Sequence, residues 1–384
     1  MSRVYLDYNA TAPLRVEARE AMLAAMDVVG NPSSVHAEGR AAKAIVEKAR
    51  GQVAALVGCD PQEVIFTSGA TEAVAMAAYD SDEIFAAPVE HDCVIANETL
   101  PEDSAKVFDV SKDGIVSFTG YAHPSWFCGG NELFFFQRAN SETGVLQDVS
   151  MPQTARDIGI DGFNVFRDVA QALGKIADLG RIPPREEASI GSSLAVSAHK
   201  IGGPKGVGAL IAGPGYTPGP FNMLIEGGGQ EMGRRSGTEN VIGIAGFGAA
   251  AEAAARDLEA GVWEKIEKLR NILESAIEAR SNDTIFVGKG AERLPNTSCF
   301  ATPGWKGETQ VMQMDLAGFA ISAGSACSSG KVKSSRVLRA MGYDEDVAAS
   351  AIRVSLGPET TEQQVMAFAE AWLKARDKQR ARAA

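Results

Sequence analysis

Cys327 lies in the run "SAGSACSSG" (residues 322–330), where no neighbour is larger than serine. Such a stretch packs no core, and its small residues give up little contact when the chain moves. Its thiol, as thiolate, is a nucleophile. At an ordinary pKa of about 8.5 only about 3% is thiolate at pH 7, and the run contains no base to raise that share. A small buried cysteine is the plainer alternative for the residue type. A second reactive group, Lys200, closes the apolar run of "SLAVSAHKIGGPKGVG" just ahead of a glycine-rich turn. Lysine at a strand end is ordinarily solvated, so its chemistry depends on what else the chain supplies.

Two further features give that lysine a context. "EVIFTSGATEAVAMAAYD" reads as a strand, a small-residue turn and a helix, whose first backbone N–H groups and positive dipole end suit an anion. An ordinary N-capped turn fits the same residues. In "FNVFRDVAQALGK", Asp168 falls in or just beyond an apolar strand. A carboxylate in such surroundings needs a cation, either a salt-bridge partner or a protonated ring nitrogen. An amine for an aldehyde, a phosphate cradle and an anion for a pyridinium are together the demands of pyridoxal 5'-phosphate. Other phosphate motifs fail on spacing: Gly324 to Gly330 before Lys331 is one residue too long for a P-loop and lacks the following Ser/Thr, and "EGGGQEMG" misses G-x-G-x-x-G.

The elements that must position these groups alternate. Helical patterns such as "VEAREAMLAAM" and "EGRAAKAIVEKARGQVAALVG" give way to six short apolar runs, "EVIFTS", "EIFAAP", "LFFFQRAN", "GFNVFRDV", "SLAVSA" and "VGALIAG". Continuous apolar strands between helices predict an α/β domain with a largely parallel sheet. From residue 241 a long helical stretch through "EAAARDLEAGVWEKIEKLRNILESAIEAR", a mixed segment and the amphipathic "TEQQVMAFAEAWLKARDKQR" predict a smaller α+β domain. The expected division is a large domain over 16–240, and a small one formed by 1–15 and 241–384 that carries the cysteine loop at 322–334.

A net charge of −12 and the absence of a Lys/Arg run argue against nucleic acid. The apolar run "VIGIAGFGAAAEAAA" is broken by Glu252 before it could span a bilayer, and the start shows no apolar leader, so a cytoplasmic protein is expected. Five scattered cysteines, Cys59, Cys93, Cys128, Cys299 and Cys327, indicate neither a disulfide framework nor a zinc site.

In order along nearly the whole chain, "YLDYNATAP", "NPSSVHAEGRAA", "FTSGATEA", "VEHDCV", "SETGVLQDV", "DVAQALGK", "SAHKIGGPKGVGAL", "GGGQEMGRRSGTEN", "PNTS", "SAGSACSSG" and "AIRVSLG" resemble the NifS/IscS-type cysteine desulfurases of the class V aminotransferase superfamily. The resemblance implies a fold-type I pyridoxal phosphate enzyme with a mostly parallel seven-stranded sheet. It implies that Lys200 forms the Schiff base, Asp168 holds the pyridine N–H, Gln171 donates to the phenolic oxygen and His91 lies over the ring. The phosphate is expected at Ala70, Thr71, Ser197 and His199, with Thr238 supplied by the partner of a homodimer. Arg353 is expected to grip the substrate carboxylate, and Cys327 to take sulfur from L-cysteine, leave alanine and pass its persulfide to an acceptor protein, for iron–sulfur clusters or another sulfur pathway.

Some positions depart from the family's pattern. Ser141, expected at the cofactor or substrate, offers a hydroxyl where an asparagine is usual. Val74 and Ala75 replace polar residues, "FRDVAQ" stands for "HVDATQ", and the chain ends at "ARDKQRARAA" without a longer tail. Arg167 should face away from Asp168 by strand alternation. Rival readings are a selenocysteine lyase or other class V aminotransferase-like enzyme, and a non-catalytic partner subunit.

Overall fold

The computed structural model describes residues 3–79, 81–99, 108–118, 132–148, 164–179, 192–213, 223–324 and 334–383. The chain opens with β1 (Val4–Tyr5), α1 (Val16–Met26) and α2 (Ala37–Val57). There follow β2 (Val64–Thr67), α3 (Ala70–Tyr79), β3 (Glu83–Ala86), the single turn α4 (Asp92–Ile95), β4 (Phe108–Val110), β5 (Val116–Phe118), β6 (Glu132–Gln137), β7 (Asn164–Asp168), β8 (Ser192–Ser197) and β9 (Gly208–Ile211). Helices α5 (Val241–Glu259) and α6 (Val262–Glu278) lead into β10 (Ile285–Phe286), β11 (Thr297–Ala301), α7 (Gly307–Leu316), β12 (Phe319–Ala320) and β13 (Ser322–Ala323). The described chain closes with α8 (Arg336–Ala340), α9 (Glu345–Ser350), β14 (Ala351–Ser355) and α10 (Glu362–Ala383).

All six apolar runs become strands of one sheet, ordered β2-β9-β8-β7-β6-β3. β3, β6, β7 and β8 pair in parallel, and β9 runs antiparallel to both β8 and β2. Among the described residues this sheet has six strands rather than seven, and β4, next in chain order after β3, pairs with β5 as a separate hairpin. Alternation explains why the strands read as unbroken apolar runs. Val64, Phe66, Leu194 and Val196 join α2 and α5 in one core, while Ile65, Leu133, Phe135 and Ala195 join α3 in another.

The long helical stretch after 241 is two helices. Gly261, at φ 67°, takes the left-handed conformation that a β-carbon disfavours and separates α5 from α6. α5 packs on α1 and α2 against the large sheet, so the helix that opens the expected small domain lies with the larger unit. Its approach requires Gly248, where a β-carbon would stand 2.6 Å from Ala49 Cα. The remaining elements form a second sheet, β10-β11-β14-β13, all antiparallel, over a core that includes Trp263, Phe300, Trp305, Phe368 and Trp372. β1 pairs in parallel with β12, after which the N-terminal segment crosses to the large sheet, where Ala12 N donates to His199 O at 2.9 Å.

The glycine-rich run at 227–233 is pinned by a buried ion pair. Glu231 and Met232 hold φ of 49° and 58°, a strained choice for residues with side chains. The Glu231 carboxylate receives both arms of Arg50, at 2.8 and 2.9 Å, and Phe66 N at 2.9 Å. Replacing Arg50 by methionine would leave that carboxylate buried and unpaired, with an expected loss of about 3–5 kcal/mol. Urea unfolding should show the midpoint fall, and adding Glu231→Gln should return much of it.

Candidate active site

Lys200 lies in a helical turn, Ala198–Lys200, directly after β8. Its amine donates to Asn9 O at 2.6 Å and Ala10 O at 3.2 Å, so the N-terminal crossing segment holds it. Gln171, in the turn after β7, donates its Nε2 to the same Asn9 oxygen at 2.9 Å. Two residues predicted for the cofactor thus meet at one carbonyl. Asp168 ends β7, and its Oδ1 accepts from Ala170 N at 2.9 Å.

At the start of α3, Ala70 N donates to Ser197 Oγ at 2.9 Å, joining the two expected phosphate contacts. Thr71 follows and is exposed. Glu72 accepts from Ser68 N at 2.7 Å and from Arg235 Nε at 2.8 Å. Although burial opposes it, these donors hold the Glu72 carboxyl below its usual pKa. The Arg235 contact ties the segment bearing Thr238 to α3, and Thr238, exposed, shares a cavity of about 130 Å³ with Thr67, Ser68 and Arg235 of its own chain. His199 packs its Nδ1 3.2 Å from Thr11 Oγ1.

His91 caps α4. Its Nδ1 accepts from Cys93 N at 3.2 Å and lies 3.0 Å from Cys93 Sγ, which assigns the ring proton of the neutral form to Nε2. Beside it Glu90 is 1% exposed, with Oε1 accepting from Gln137 N at 2.8 Å. Burial first, and nearby Asp168 as well, push the Glu90 pKa well above the carboxylate range. Gln137 is the register partner of Asp168 on β7.

Arg353 lies on β14, 3% exposed. Its Nη2 meets Asp7 Oδ1 at 2.8 Å, its Nη1 donates to Ser141 O at 2.9 Å, and its Nε is buried with no hydrogen-bond partner. Ser141 therefore faces the site with its backbone oxygen. The preceding Asn140 spends its side chain on the turn, accepting from Glu142 N and Thr143 N at 2.9 Å each. Arg353 is also the register partner of Ser322, and the described chain pauses at Gly324, whose N donates to Ala351 O at 3.0 Å. It resumes at Ser334, and the Ser335 side chain caps α8 and donates to Glu142. Cys327 and Cys128 lie outside the described residues. Of the other thiols, Cys299 is buried and pushed up to about 12 by burial first, while Cys59 and Cys93 are half-buried.

Sequence reasoning passed over Asn9, Asp7, Glu90 and Lys175. Lys175 is 4% exposed, and its amine donates to Gln171 Oε1 at 3.1 Å and Asn9 Oδ1 at 3.4 Å. The available signal was its spacing, four residues after Gln171. Arg167 is fully buried, and burial first, then Arg138, lowers its pKa to about 10. Among the described residues no group of three acidic, histidine or cysteine side chains is placed to hold a metal.

A lysine amine held at a strand end, a carboxylate closing the neighbouring strand, and a helix start backed by a serine hydroxyl suit pyridoxal phosphate, and the unpartnered Arg353 Nε suits a carboxylate. The chain belongs to the class-V aminotransferases, whose family model matches residues 4–368. Within that family it falls in the NifS-like group. It is 39% identical to the cysteine desulfurase of Cereibacter sphaeroides, over 94% of this chain and 92% of that one. Its fold is similar to the NifS-like protein from Rickettsia africae, with TM-score 0.82, 30% identity, and 98% and 99% of the two chains covered. SspA in complex with cysteine is similar at TM-score 0.71 and 26% identity, over 93% of this chain and all of that one.

Burial, then Lys200 and Lys205, lowers His199 from 6.5 to about 4. A base whose folded pKa lies below its unfolded value contributes stability that is present above about pH 6.5 and lost as pH falls toward 4. His199→Gln should therefore flatten the fall in urea midpoint between pH 6.5 and 4 relative to wild type. An unchanged slope would show that His199 is protonated in the folded protein.

Proposed function

We propose that this chain is a pyridoxal 5'-phosphate-dependent cysteine desulfurase, converting L-cysteine to L-alanine and taking the sulfur onto Cys327. The observation that carries the reading is the junction at Asn9 O, where Lys200 and Gln171 meet. Lys200 would hold the cofactor, Asp168 its ring nitrogen, Gln171 its phenolic oxygen and His91 its face. Ala70, Thr71, Ser197 and His199 would hold the phosphate. When bound, the group supplies an aldehyde that captures amines and a cationic ring that draws electron density from the α-carbon.

The Lys200 amine then moves the α-proton. Arg353 orients the substrate through its carboxylate, beside the Ser141 carbonyl. Cys327 is three residues beyond Gly324, about 10 Å of extended chain, and Gly324 follows the strand paired with Arg353. Thiolate attack on the substrate sulfur forms the S–S bond and breaks Cβ–S. The electron pair passes to Cβ, which gains a proton to give alanine. The persulfide passes to a thiol of an acceptor protein, serving iron–sulfur assembly or another sulfur pathway.

A homodimer is part of the same reading. Leu23, Met26, Val29, Val35 and Met232 are each more than half exposed, apolar side chains that a second copy would cover, and Thr238 is exposed six residues after Met232. So is a cytoplasmic location; among the described residues no helix is long and apolar enough to cross a membrane. The two-domain division stands as a proposal too, with α5 assigned to the larger unit by its packing.

Purified protein should be yellow, lose that absorbance on borohydride reduction, and be colourless as Lys200→Ala. With L-cysteine, wild type should form alanine and a persulfide mapping by mass spectrometry to Cys327. Cys327→Ala should lose nearly all alanine formation, because the nucleophile that takes the sulfur is gone. Equal sulfur release by that variant would refute the desulfurase assignment.

A further inference from the structure

The turn that carries Gln171 also carries a second lysine that the proposed reaction leaves unused. Residues 169–175 fold on themselves, with Leu173 N donating to Val169 O and Lys175 N to Ala172 O, and this brings Gln171 and Lys175 side by side. Both are 4% exposed. Lys175 Nζ donates to Gln171 Oε1 at 3.1 Å, while Gln171 Nε2 donates to Asn9 O at 2.9 Å, the oxygen that also accepts from Lys200. The two ends of an amide are nearly equal in shape, and only their partners decide which way it points. Lys175 donates to this amide and the Asn9 carbonyl can only accept from it, so the amide presents its oxygen to Lys175 and turns its N–H pair toward Asn9 and Lys200.

We propose that Lys175 is a positioning residue that fixes the Gln171 amide with its N–H donors, rather than its oxygen, facing the group carried by Lys200. This rests on the reading above, in which Gln171 serves the cofactor's phenolic oxygen. Asn9 supports the arrangement from the other side, its Oδ1 accepting from Lys175 at 3.4 Å and from Asn296 Nδ2 at 3.0 Å. Lys175 faces two other cations, Lys200 and Arg353; burial first, then these, lower it to about 7. On its far side it borders a cavity of about 480 Å³ whose charged residues are Glu264, Glu267, Arg270, Lys289, Glu292 and Arg293. Of these, Arg270 pairs with Glu267, Lys289 with Glu278 and Arg293 with Glu274, so much of that charge is matched locally.

The test is a pH titration of the visible absorbance of the cofactor-loaded protein, without substrate. A donor on the phenolic oxygen steadies its negative charge. Without it that oxygen binds the neighbouring linkage proton more tightly, and the colour transition moves to higher pH. In Lys175→Met the midpoint should rise by about one unit, a tenfold change in proton affinity, whereas Lys175→Arg, which keeps a donor for Oε1, should titrate as wild type. Gln171→Ala should show the rise by itself, and Gln171→Ala with Lys175→Met no more than that. Lys175→Gln gives the same comparison if Lys175→Met does not fold. A Lys175→Met midpoint equal to wild type overturns the inference, as does an undiminished Lys175→Met effect in the Gln171→Ala background, which would make Lys175 a bare charge. Either result leaves the cofactor reading standing, and a colourless wild type removes both.

Discussion

The site depends on one fully buried polar side chain at the seam between the two sheets. Asn9 is 0% exposed, and an amide there is tolerable only if its hydrogen-bonding groups are satisfied. Its Nδ2 donates to Thr297 Oγ1 at 2.9 Å, its Oδ1 accepts from Asn296 and Lys175, and its backbone N donates to Ser355 Oγ at 2.9 Å. Those partners come from the second sheet and from the turn after β7. Only when both units and the N-terminal segment are in place does the Asn9 carbonyl stand where Lys200 and Gln171 reach it. The network is therefore both a folding constraint and what holds the Lys200 amine in place.

The same burial shapes the charges. In a chain of net charge −12, Lys175 lies within electrostatic reach of Lys200 and Arg353, and His199 within reach of Lys200 and Lys205. Packing cations together in a poorly solvated place disfavours each extra proton, which is why His199 falls to about 4 and Lys175 to about 7. His199 is thereby left uncharged near pH 7, and an anionic phosphate or carboxylate arriving there would relieve the repulsion among the groups that stay charged. Glu90 is pushed the other way, above its usual pKa, by burial first and by the nearby Asp168 as well.

What the sequence disclosed and what it hid divide along a physical line. Strands buried on both faces must be apolar throughout, so β2, β3, β6, β7, β8 and β9 were each legible from a few residues. Lys200 and Asp168 stood out because charges ending such strands are unusual. The break at Gly261 was missed because helical periodicity persists on both sides of it, and only the backbone angle reveals the turn. Arg50 and Glu231, 181 positions apart, carry no mutual signal in the chain. Lys175 and Asn9 lie within quoted motifs, yet nothing in their local sequence singles them out. Their roles arise from long-range closure, which a one-dimensional pattern does not contain.

Arg353 shows how the second sheet prepares the site for an acid. A buried guanidinium without a counter-ion is strongly destabilising, and Asp7 supplies one at 2.8 Å while also accepting from Ser322 Oγ at 2.8 Å. The Ser141 carbonyl takes a second donor and the Nε is left over. An arriving carboxylate thus meets an arginine already neutralised and already oriented. Its binding exchanges some contacts and completes others, and creates no new buried charge in isolation. Ser141 tolerates the loss of an amide side chain for the same reason, since its contribution to this junction is a backbone oxygen that any residue would provide. Because Asp7, Ser322 and Arg353 lock the register of β13 against β14 only two residues before Gly324, the guanidinium proposed to grip the substrate's acid and the root of the segment bearing Cys327 belong to one hydrogen-bonded frame.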